Sequence, residues 1–154
     1  MTNDVWLTER EQRAWRGFMG LQNEVRAQLS RRLQQETGLS GADYDLLVVL
    51  SEAPSGRLRA FEMGALIKWE KSRLSHQLTR MAQRGLIERQ ACTDDSRYAE
   101  IVLTPVGRAA IVEAAPKHVA HVREVFIDVL SPEQIDAFAA IAETVLTRLD
   151  NQPD

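Results

Sequence analysis

The chain has 154 residues, of which 44% are hydrophobic and 27% charged, and its formal net charge is −3. This composition predicts one globular domain of ordinary size and excludes a disordered chain. No stretch of about 18 apolar residues occurs, so we expect no membrane-spanning helix and no membrane partner. The N-terminal residues lack the pattern of a signal peptide, and the lone cysteine, Cys92, cannot form an intrachain disulfide. We therefore expect a cytoplasmic protein.

The first predicted helix covers residues 8–37. Thr8 and Glu11 have the spacing of a capping box at its start, and Gly38 marks its end. Apolar residues recur along this stretch at helical intervals. They are Trp15, Phe18, Met19, Leu21, Val25, Leu29 and Leu33.

Two shorter helices are predicted next, over residues 41–52, where Ser40 is a suitable cap, and over Arg59 to Ile67. Their spacing indicates which side chains face the core. We expect Tyr44, Leu47, Val48 and Leu50 to do so in the first, and Phe61, Met63, Leu66 and Ile67 in the second.

Residues 69–104 predict a helix, a glycine stop at Gly85, a strand, a charged turn and a second strand. Leu74, Leu78 and Met81 are spaced by four and three residues, so they share one face of the helix. Polar residues fall opposite this stripe, namely Ser72, His76, Thr79 and Gln83. Such a face is suited to reading base edges and holding phosphates, although ordinary surface helices carry similar residues.

The short gap around Lys68 to Glu70 gives the two helices before the strands the spacing of a helix-turn-helix. A helix hairpin in an ordinary bundle has the same spacing, but a two-stranded wing follows it less often. After the strands, Pro105 begins a predicted helix to about Leu130. Ser131 and Pro132 then begin a last helix that ends near Leu149.

Two spaced motifs resemble the MarR family of bacterial transcription regulators. The wing motif of that family, Asp-x-Arg followed by an aliphatic residue, x and Leu-Thr, corresponds to residues 95–104, with Gly107 where a glycine is usual. The recognition-helix pattern SxLSxxLxRMxxRGLIxR corresponds to residues 72–89. The resemblance covers nearly the whole chain.

The resemblance implies a mainly α winged helix-turn-helix with a two-stranded wing, flanked by N- and C-terminal dimerisation helices. Residues 1–36 would form the first dimerisation helix, residues 37–104 the DNA-binding region and residues 105–154 the last dimerisation helices, within one structural domain. The broad apolar faces of the terminal helices, and the apolar run Val5-Trp6-Leu7, favour a homodimer over a monomer that folds its own ends together.

Charge is distributed in favour of DNA binding despite the negative total. Residues 57–97 hold nine basic and five acidic residues, a net +4, which leaves −7 for the rest of the chain. A local basic face is the electrostatic feature that double-stranded DNA requires. By resemblance, the DNA contacts would be Lys71, Ser72, Arg73, Ser75, His76 and Arg80 from the recognition helix, with Ser96 and Arg97 from the wing.

Asp95 would hold Arg97 by an ion pair, so that its guanidinium enters the minor groove. The resulting hypothesis is a homodimeric repressor of a pseudo-palindromic operator. A protein-interaction module that uses the same face, without DNA binding, is the alternative.

No residue pattern indicates catalysis, a cofactor or a metal site; His118 and His121 are three residues apart but lack further ligands. We expect Cys92 to pack as a small hydrophobic residue rather than to act as a redox sensor. The family often binds small aromatic or phenolic anions between its dimerisation helices and winged region. A ligand of this kind would contact Trp15, Met19, Tyr44 and His118, although aromatic residues at helical spacing belong to a core more often than they contact a ligand.

Overall fold

The computed structural model describes residues 6–91 and 99–151. They belong to two compact units, one ending at His118 and one beginning at Val119. Helices dominate both units, which confirms the predicted mainly α class. None of the described helices is long and apolar enough to cross a membrane. In chain order the elements are α1 (Glu9–Thr37), α2 (Gly41–Glu52), β1 (Arg57–Arg59), α3 (Ala60–Ile67), α4 (Lys71–Gln83), β2 (Ile87–Ala91), β3 (Ala99–Leu103), α5 (Pro105–Val122) and α6 (Pro132–Asp150).

The first two helices begin and end where their local signals predict. The Thr8 hydroxyl accepts the N–H of Glu11, and the Glu11 carboxylate accepts the N–H of Thr8 at 2.8 Å. Ser40 and Asp43 make the same reciprocal exchange at the start of α2. Gly38 ends α1 with a φ of 72°, a left-handed conformation that costs glycine little.

The core of the first unit forms where the C-terminal end of α1, helices α2, α3, α4 and α5, and the sheet meet. Its buried hydrophobic residues are Leu33, Leu39, Tyr44, Leu46, Leu47, Leu50, Met63, Leu74, Leu78, Met81, Leu86, Ile87, Ile101, Ile111 and Ala114. The neighbours Leu46 and Leu47 are both fully buried, so α2 is enclosed on more than one side. The sequence analysis therefore did not predict the burial of Leu46. Val48, which was predicted to face the core, is only partly buried.

The predicted inward face of α3 was wrong at two positions. Met63 is fully buried and Ile67 packs partly against the core, but Phe61 is 57% exposed and Leu66 is 63% exposed. The helix has eight residues, or about two turns, and contacts the core along one side. Phe61 and Leu66 lie outside that contact.

The sheet has three antiparallel strands in the order β1-β3-β2. Strands β2 and β3 are the two predicted strands of the wing, and β1 was not predicted. β1 pairs with β3 through Arg57 opposite Val102 and Arg59 opposite Glu100. Arg59, predicted to begin a helix, ends this strand instead, and its N–H is accepted by the Glu62 carboxylate at 2.9 Å. Helix α3 therefore begins one residue later than predicted.

The predicted helix from Pro105 to about Leu130 was too long. The α-helix ends at Val122 and continues through Pro116 without interruption. Residues Arg123–Ile127 are π-helical, and the Asp128 N–H reaches back five residues to the Arg123 carbonyl at 2.8 Å. This wider turn leads into the start of α6.

Helix α6 lies in the second unit and begins as predicted. Ser131 and Gln134 exchange side chain-to-backbone hydrogen bonds at its start, with Pro132 in the first turn. The Phe138 ring packs edge-on against Phe126 at a centroid distance of 5.2 Å. Most of the large apolar side chains of α6 are nevertheless exposed, namely Phe138, Ile141, Val145, Leu146 and Leu149.

A close backbone contact joins Gly85 and Leu86, which follow α4, to the start of α5. The Thr104 hydroxyl donates to the Gly85 carbonyl at 2.6 Å and accepts the Gly107 N–H at 3.0 Å. The Thr104 N–H donates to the Leu86 carbonyl. A Cβ on Gly107 would lie 2.0 Å from the Leu86 carbonyl oxygen, so only glycine allows this approach.

We expect Gly107→Ala to lower the free energy of unfolding by at least about 1–3 kcal/mol, because the methyl group meets a backbone carbonyl that cannot rotate away. Gly64→Ala is the matched control: its Cβ would be 3.4 Å from Leu74 Cδ2, an ordinary contact, within a helix. Urea unfolding of both variants tests this. Equal stabilities for the two variants would contradict the contact.

Candidate nucleic-acid interface

Helix α4 has one buried and one exposed face, as its sequence predicts. Leu74, Leu78 and Met81 are 4%, 2% and 0% exposed. Each DNA contact predicted on this helix is exposed: Lys71, Ser72, Arg73, Ser75, His76 and Arg80. Thr79 and Gln83 are exposed as well. The apolar stripe therefore fixes which side chains are available to a ligand.

The turn between α3 and α4 is short and specific. It comprises residues 68–70, and Lys68 adopts a φ of 52°, in the left-handed region. The Trp69 N–H donates to the Gly64 carbonyl at 3.3 Å, which closes the turn. The first turn of α4 contains no acidic residue, but the exposed Glu70 is its N-cap, and the Glu70 carboxylate offsets the positive end of the helix dipole beside Lys71. A phosphate near this end would therefore depend on the charge of the Lys71 side chain.

Trp69 is a functional candidate that the sequence analysis missed. The Arg73 guanidinium carbon lies 3.9 Å from the centroid of the Trp69 ring, in a cation–π contact. Trp69 lies in the turn, two residues before α4 begins, and Arg73 lies four residues further on, in the first turn of the helix. That spacing was visible in the sequence. The contact restricts where the Arg73 guanidinium can point.

Strand β2 is tied to the middle of α4. The Arg89 guanidinium donates to the Ser75 carbonyl at 2.8 Å, and the Thr79 hydroxyl donates to the same oxygen at 3.0 Å. Arg89 is therefore occupied in a contact with α4, although it counts toward the basic segment. The tie links the wing strand directly to the predicted reading helix.

A polar network crosses all three strands. The Arg57 guanidinium on β1 donates to Glu100 Oε2 on β3 at 3.1 Å and to Gln90 Oε1 on β2 at 3.2 Å. Cross-strand pairs of this kind stabilise a register. They hold the base of the wing together. Arg57, like Arg89, has a structural contact that sequence alone did not reveal.

The predicted wing contacts Ser96 and Arg97, the orienting residue Asp95, and Cys92 lie outside the described residues. Strands β2 and β3 lead to and from this segment, ending at Ala91 and beginning at Ala99. The roles of the residues between them stay predictions.

The predicted effector residues occupy different environments within the first unit. Trp15 and Met19 are 56% and 37% exposed on α1. Tyr44 is buried, and its ring lies 4.3 Å from the His118 ring. Next to Tyr44, burial raises the pKa of Asp45, while Arg26, His118 and Arg73 lower it by their charge. Arg26 forms an ion pair with Asp45 at 3.5 Å.

A cavity of about 750 Å³ lies elsewhere, between α3, α4 and the sheet. Its walls include Phe61, Trp69, Leu74 and Arg89, together with Ser75 of the predicted DNA contacts. None of the described wall residues is a predicted effector contact. The assignment of an effector to Tyr44 and His118 stays a prediction.

Comparison with known proteins identifies the family. The model of the MarR family matches residues 37–97. The crystal structure of AbsC, a MarR family transcriptional regulator from Streptomyces coelicolor, is 38% identical and has a TM-score of 0.88, over 96% of this chain and 99% of AbsC. The chain belongs to the MarR family.

Two further relatives are informative. Sco3205, a MarR family transcriptional regulator from Streptomyces coelicolor solved in complex with DNA, is 36% identical with a TM-score of 0.89, over 97% of this chain and 92% of Sco3205. The HTH-type transcriptional repressor YetL of Bacillus subtilis (strain 168) is 28% identical over 112 residues, which are 73% of this chain and 66% of YetL. The resemblance seen in the sequence motifs is thus confirmed at the level of family and fold.

Because the chain belongs to the MarR family, we expect Trp69 to hold the Arg73 guanidinium in an orientation suited to DNA binding. Trp69→Leu should lower affinity for a preferred DNA site by about two- to fivefold, from the ~0.5–1 kcal/mol of an exposed cation–π contact. Trp69→Phe should lose less because it keeps an aromatic face. Fluorescence anisotropy with labelled duplex measures both variants.

A double-mutant cycle with Arg73→Ala separates this role from simple packing, because Trp69 also contacts the core. In the Arg73→Ala background, Trp69→Leu should lower the affinity for the DNA site only slightly further. An equal loss in both backgrounds would mean that Trp69 does not act through Arg73.

Proposed function

We propose that this chain is a DNA-binding transcriptional repressor that acts as a homodimer on a pseudo-palindromic operator. The exposed polar face of α4, held outward by its buried apolar stripe, carries the proposal. Two relatives support it: Sco3205 was solved in complex with DNA, and YetL is a transcriptional repressor. The proposal includes a cytoplasmic location and no enzymatic activity.

In the proposed complex, α4 enters the major groove with its N-terminal half toward the bases. Arg73 and His76 lie away from the apolar stripe and are suited to base edges, since guanidinium and imidazole groups donate to purine acceptors. Lys71 and Arg80, near opposite ends of the helix, are suited to phosphates. Ser72 and Ser75 provide hydroxyl groups that bond to either.

The wing completes the proposed contact. Arg97 would enter the minor groove, oriented by Asp95, with Ser96 beside it. This part of the proposal rests on the sequence motif alone. The structure supports it indirectly. The Arg57 hydrogen bonds join the described strands of the wing, and the Arg89–Ser75 hydrogen bond joins β2 to α4.

Two exposed apolar surfaces support the homodimer. On α1, Trp15 and Phe18 are 56% and 50% exposed, and their rings lie 5.8 Å apart. On α6, Val145 and Leu149 are each 54% exposed. Clustered exposure of large apolar side chains usually marks an interface. A second copy of the chain would cover both helices and present two copies of α4, about 34–36 Å apart, to successive major grooves.

The proposal also includes a small-molecule effector. A small aromatic or phenolic anion would bind near Tyr44 and His118, with Trp15 and Met19 contributing from α1. Release of bound operator by 4-hydroxybenzoate, and loss of that response in Tyr44→Ala, would support it; no change in operator binding with phenolic anions would exclude this class.

A protein-interaction module without DNA binding is the competing function. The net charge of +4 over residues 57–97 favours DNA, because a polyanion binds a basic face by releasing counterions. Steep loss of duplex binding with added salt would agree with DNA binding. Duplex binding that does not change with salt and shows no preference among sequences would favour the protein-interaction module.

We expect Arg73→Ala and His76→Ala each to weaken binding to the preferred site by roughly 1–3 kcal/mol, because each removes a contact to a base edge. The site is first selected from random duplexes by the purified protein, and binding is then measured by anisotropy. Arg31→Ala, an equal charge change at an exposed position of α1, is the control. Unchanged affinity and site preference in both α4 variants would refute this reading of the helix.

We expect Val145→Glu to convert the dimer to a monomer, since it puts a charge into the apolar face of α6. Thr147, exposed and two residues further on, lies on the opposite side of the helix, so Thr147→Glu should remain dimeric. Sedimentation velocity measures both. A dimeric Val145→Glu variant, or a monomeric wild-type chain, would contradict the proposed interface.

A further inference from the structure

Asp43 is a buried carboxylate in the first turn of α2, against the flank of α4 that carries Gln77. It is 1% exposed, and its Oδ2 accepts the Ser40 N–H at 2.8 Å within the cap of α2. A buried carboxylate is costly unless its oxygens are well paired. The local cap satisfies only part of that requirement.

Helix α4 supplies the remaining partners. Gln77 Nε2 donates to Asp43 Oδ1 at 2.7 Å, and an Arg84 guanidinium nitrogen donates to Asp43 Oδ2 at 2.6 Å. Gln77 and Arg84 are seven residues apart, so they lie two turns apart on one side of the helix. A rotation or slide of α4 by one residue would break at least one of these bonds.

Arg84 also reaches a third element. Its second guanidinium nitrogen donates to the Gly38 carbonyl at 2.9 Å, at the end of α1. One planar guanidinium therefore joins the start of α2, the end of α1 and the end of α4. A lysine carries the same charge but lacks the fixed fork that reaches both acceptors in this geometry. We call Gly38, Asp43, Gln77 and Arg84 the Asp43 clamp.

We propose that Asp43 is a positioning residue for DNA recognition: through Gln77 and Arg84 it sets the angle of α4 against the α1–α2 corner, and so determines base selectivity without touching DNA. The inference rests on the proposed function. Gln77 lies between Arg73 and Arg80 on α4, at four and three residues' distance, so a change at the clamp moves both predicted contacts. Base recognition is sensitive to displacements well below the size of a side chain.

The apolar stripe cannot perform this role alone. Contacts among Leu74, Leu78, Met81 and the core are non-directional, so they hold α4 against the protein but tolerate small rotations. Hydrogen bonds to a buried carboxylate have fixed lengths and angles. The clamp therefore adds orientation to a helix that packing already retains.

The decisive experiment compares selectivity with stability. Arg84→Lys keeps the charge and Asp43→Asn keeps the shape of the side chain. For each, affinity is measured for the selected operator and for a scrambled duplex of equal length, at one salt concentration and well below the melting temperature of every variant. Arg31→Lys on α1 is the matched control.

We expect the ratio of operator to scrambled affinity to fall tenfold or more in both variants, and to stay unchanged in Arg31→Lys. Scrambled binding should change less than twofold in Arg84→Lys. In Asp43→Asn it should not weaken, because the change removes a negative charge, whereas operator binding should fall. Opposite responses of the two duplexes are not produced by a loss of stability.

The double variant Asp43→Leu/Arg84→Met guards against a folding defect. Only Asp43 is buried in this pair, since the Arg84 side chain is 43% exposed, and removing both charges leaves neither of them unpaired. This variant should therefore remain folded yet unselective. Variants that keep the wild-type ratio, or that lose both affinities in parallel with melting temperature, would overturn the inference. A wild-type chain that prefers no duplex would refute the proposed function instead, and the two failures are therefore distinguishable.

Discussion

The burial of one face of α4 is the constraint on which the candidate interface depends. Leu74, Leu78 and Met81 are almost inaccessible to solvent, and their neighbours come from α2, α3 and the sheet. Once these side chains are part of the core, the 3.6-residue period turns the side chains of the opposite face away from it. The outward orientation of the polar face is thus a consequence of apolar packing on the other side.

Packing retains the helix, and polar contacts orient it. Arg89 holds the middle of α4 to the wing strand, and Arg84 holds its end to the α1–α2 corner. Both arginines lie in the basic segment, yet both are used within the protein. The basic charge of this region therefore has two roles, and sequence alone cannot assign an arginine to either, because the partners are far away along the chain.

Structural features that depend on neighbouring residues in the sequence could be predicted. Features that depend on partners far away along the chain could not. Capping boxes at Thr8 and Ser40 and the glycine stop at Gly85 are local, and the structure confirms them. Strand β1 has three residues and exists only because β3, more than forty residues later, pairs with it. The Asp43 contacts likewise span 34 and 41 residues. The exposure of Phe61 depends on how little of α3 meets the core.

Helix α1 is long enough for a small tilt to matter on the scale of a base pair. Its 29 residues correspond to a length of about 43 Å, and its last turn is bonded to Arg84 through Gly38. A tilt of about 5° at the far end would displace that last turn by nearly 4 Å, similar to the 3.4 Å rise between successive base pairs. A small angular change at the N-terminal end of α1 therefore corresponds, at its Gly38 end, to a distance of about one base pair.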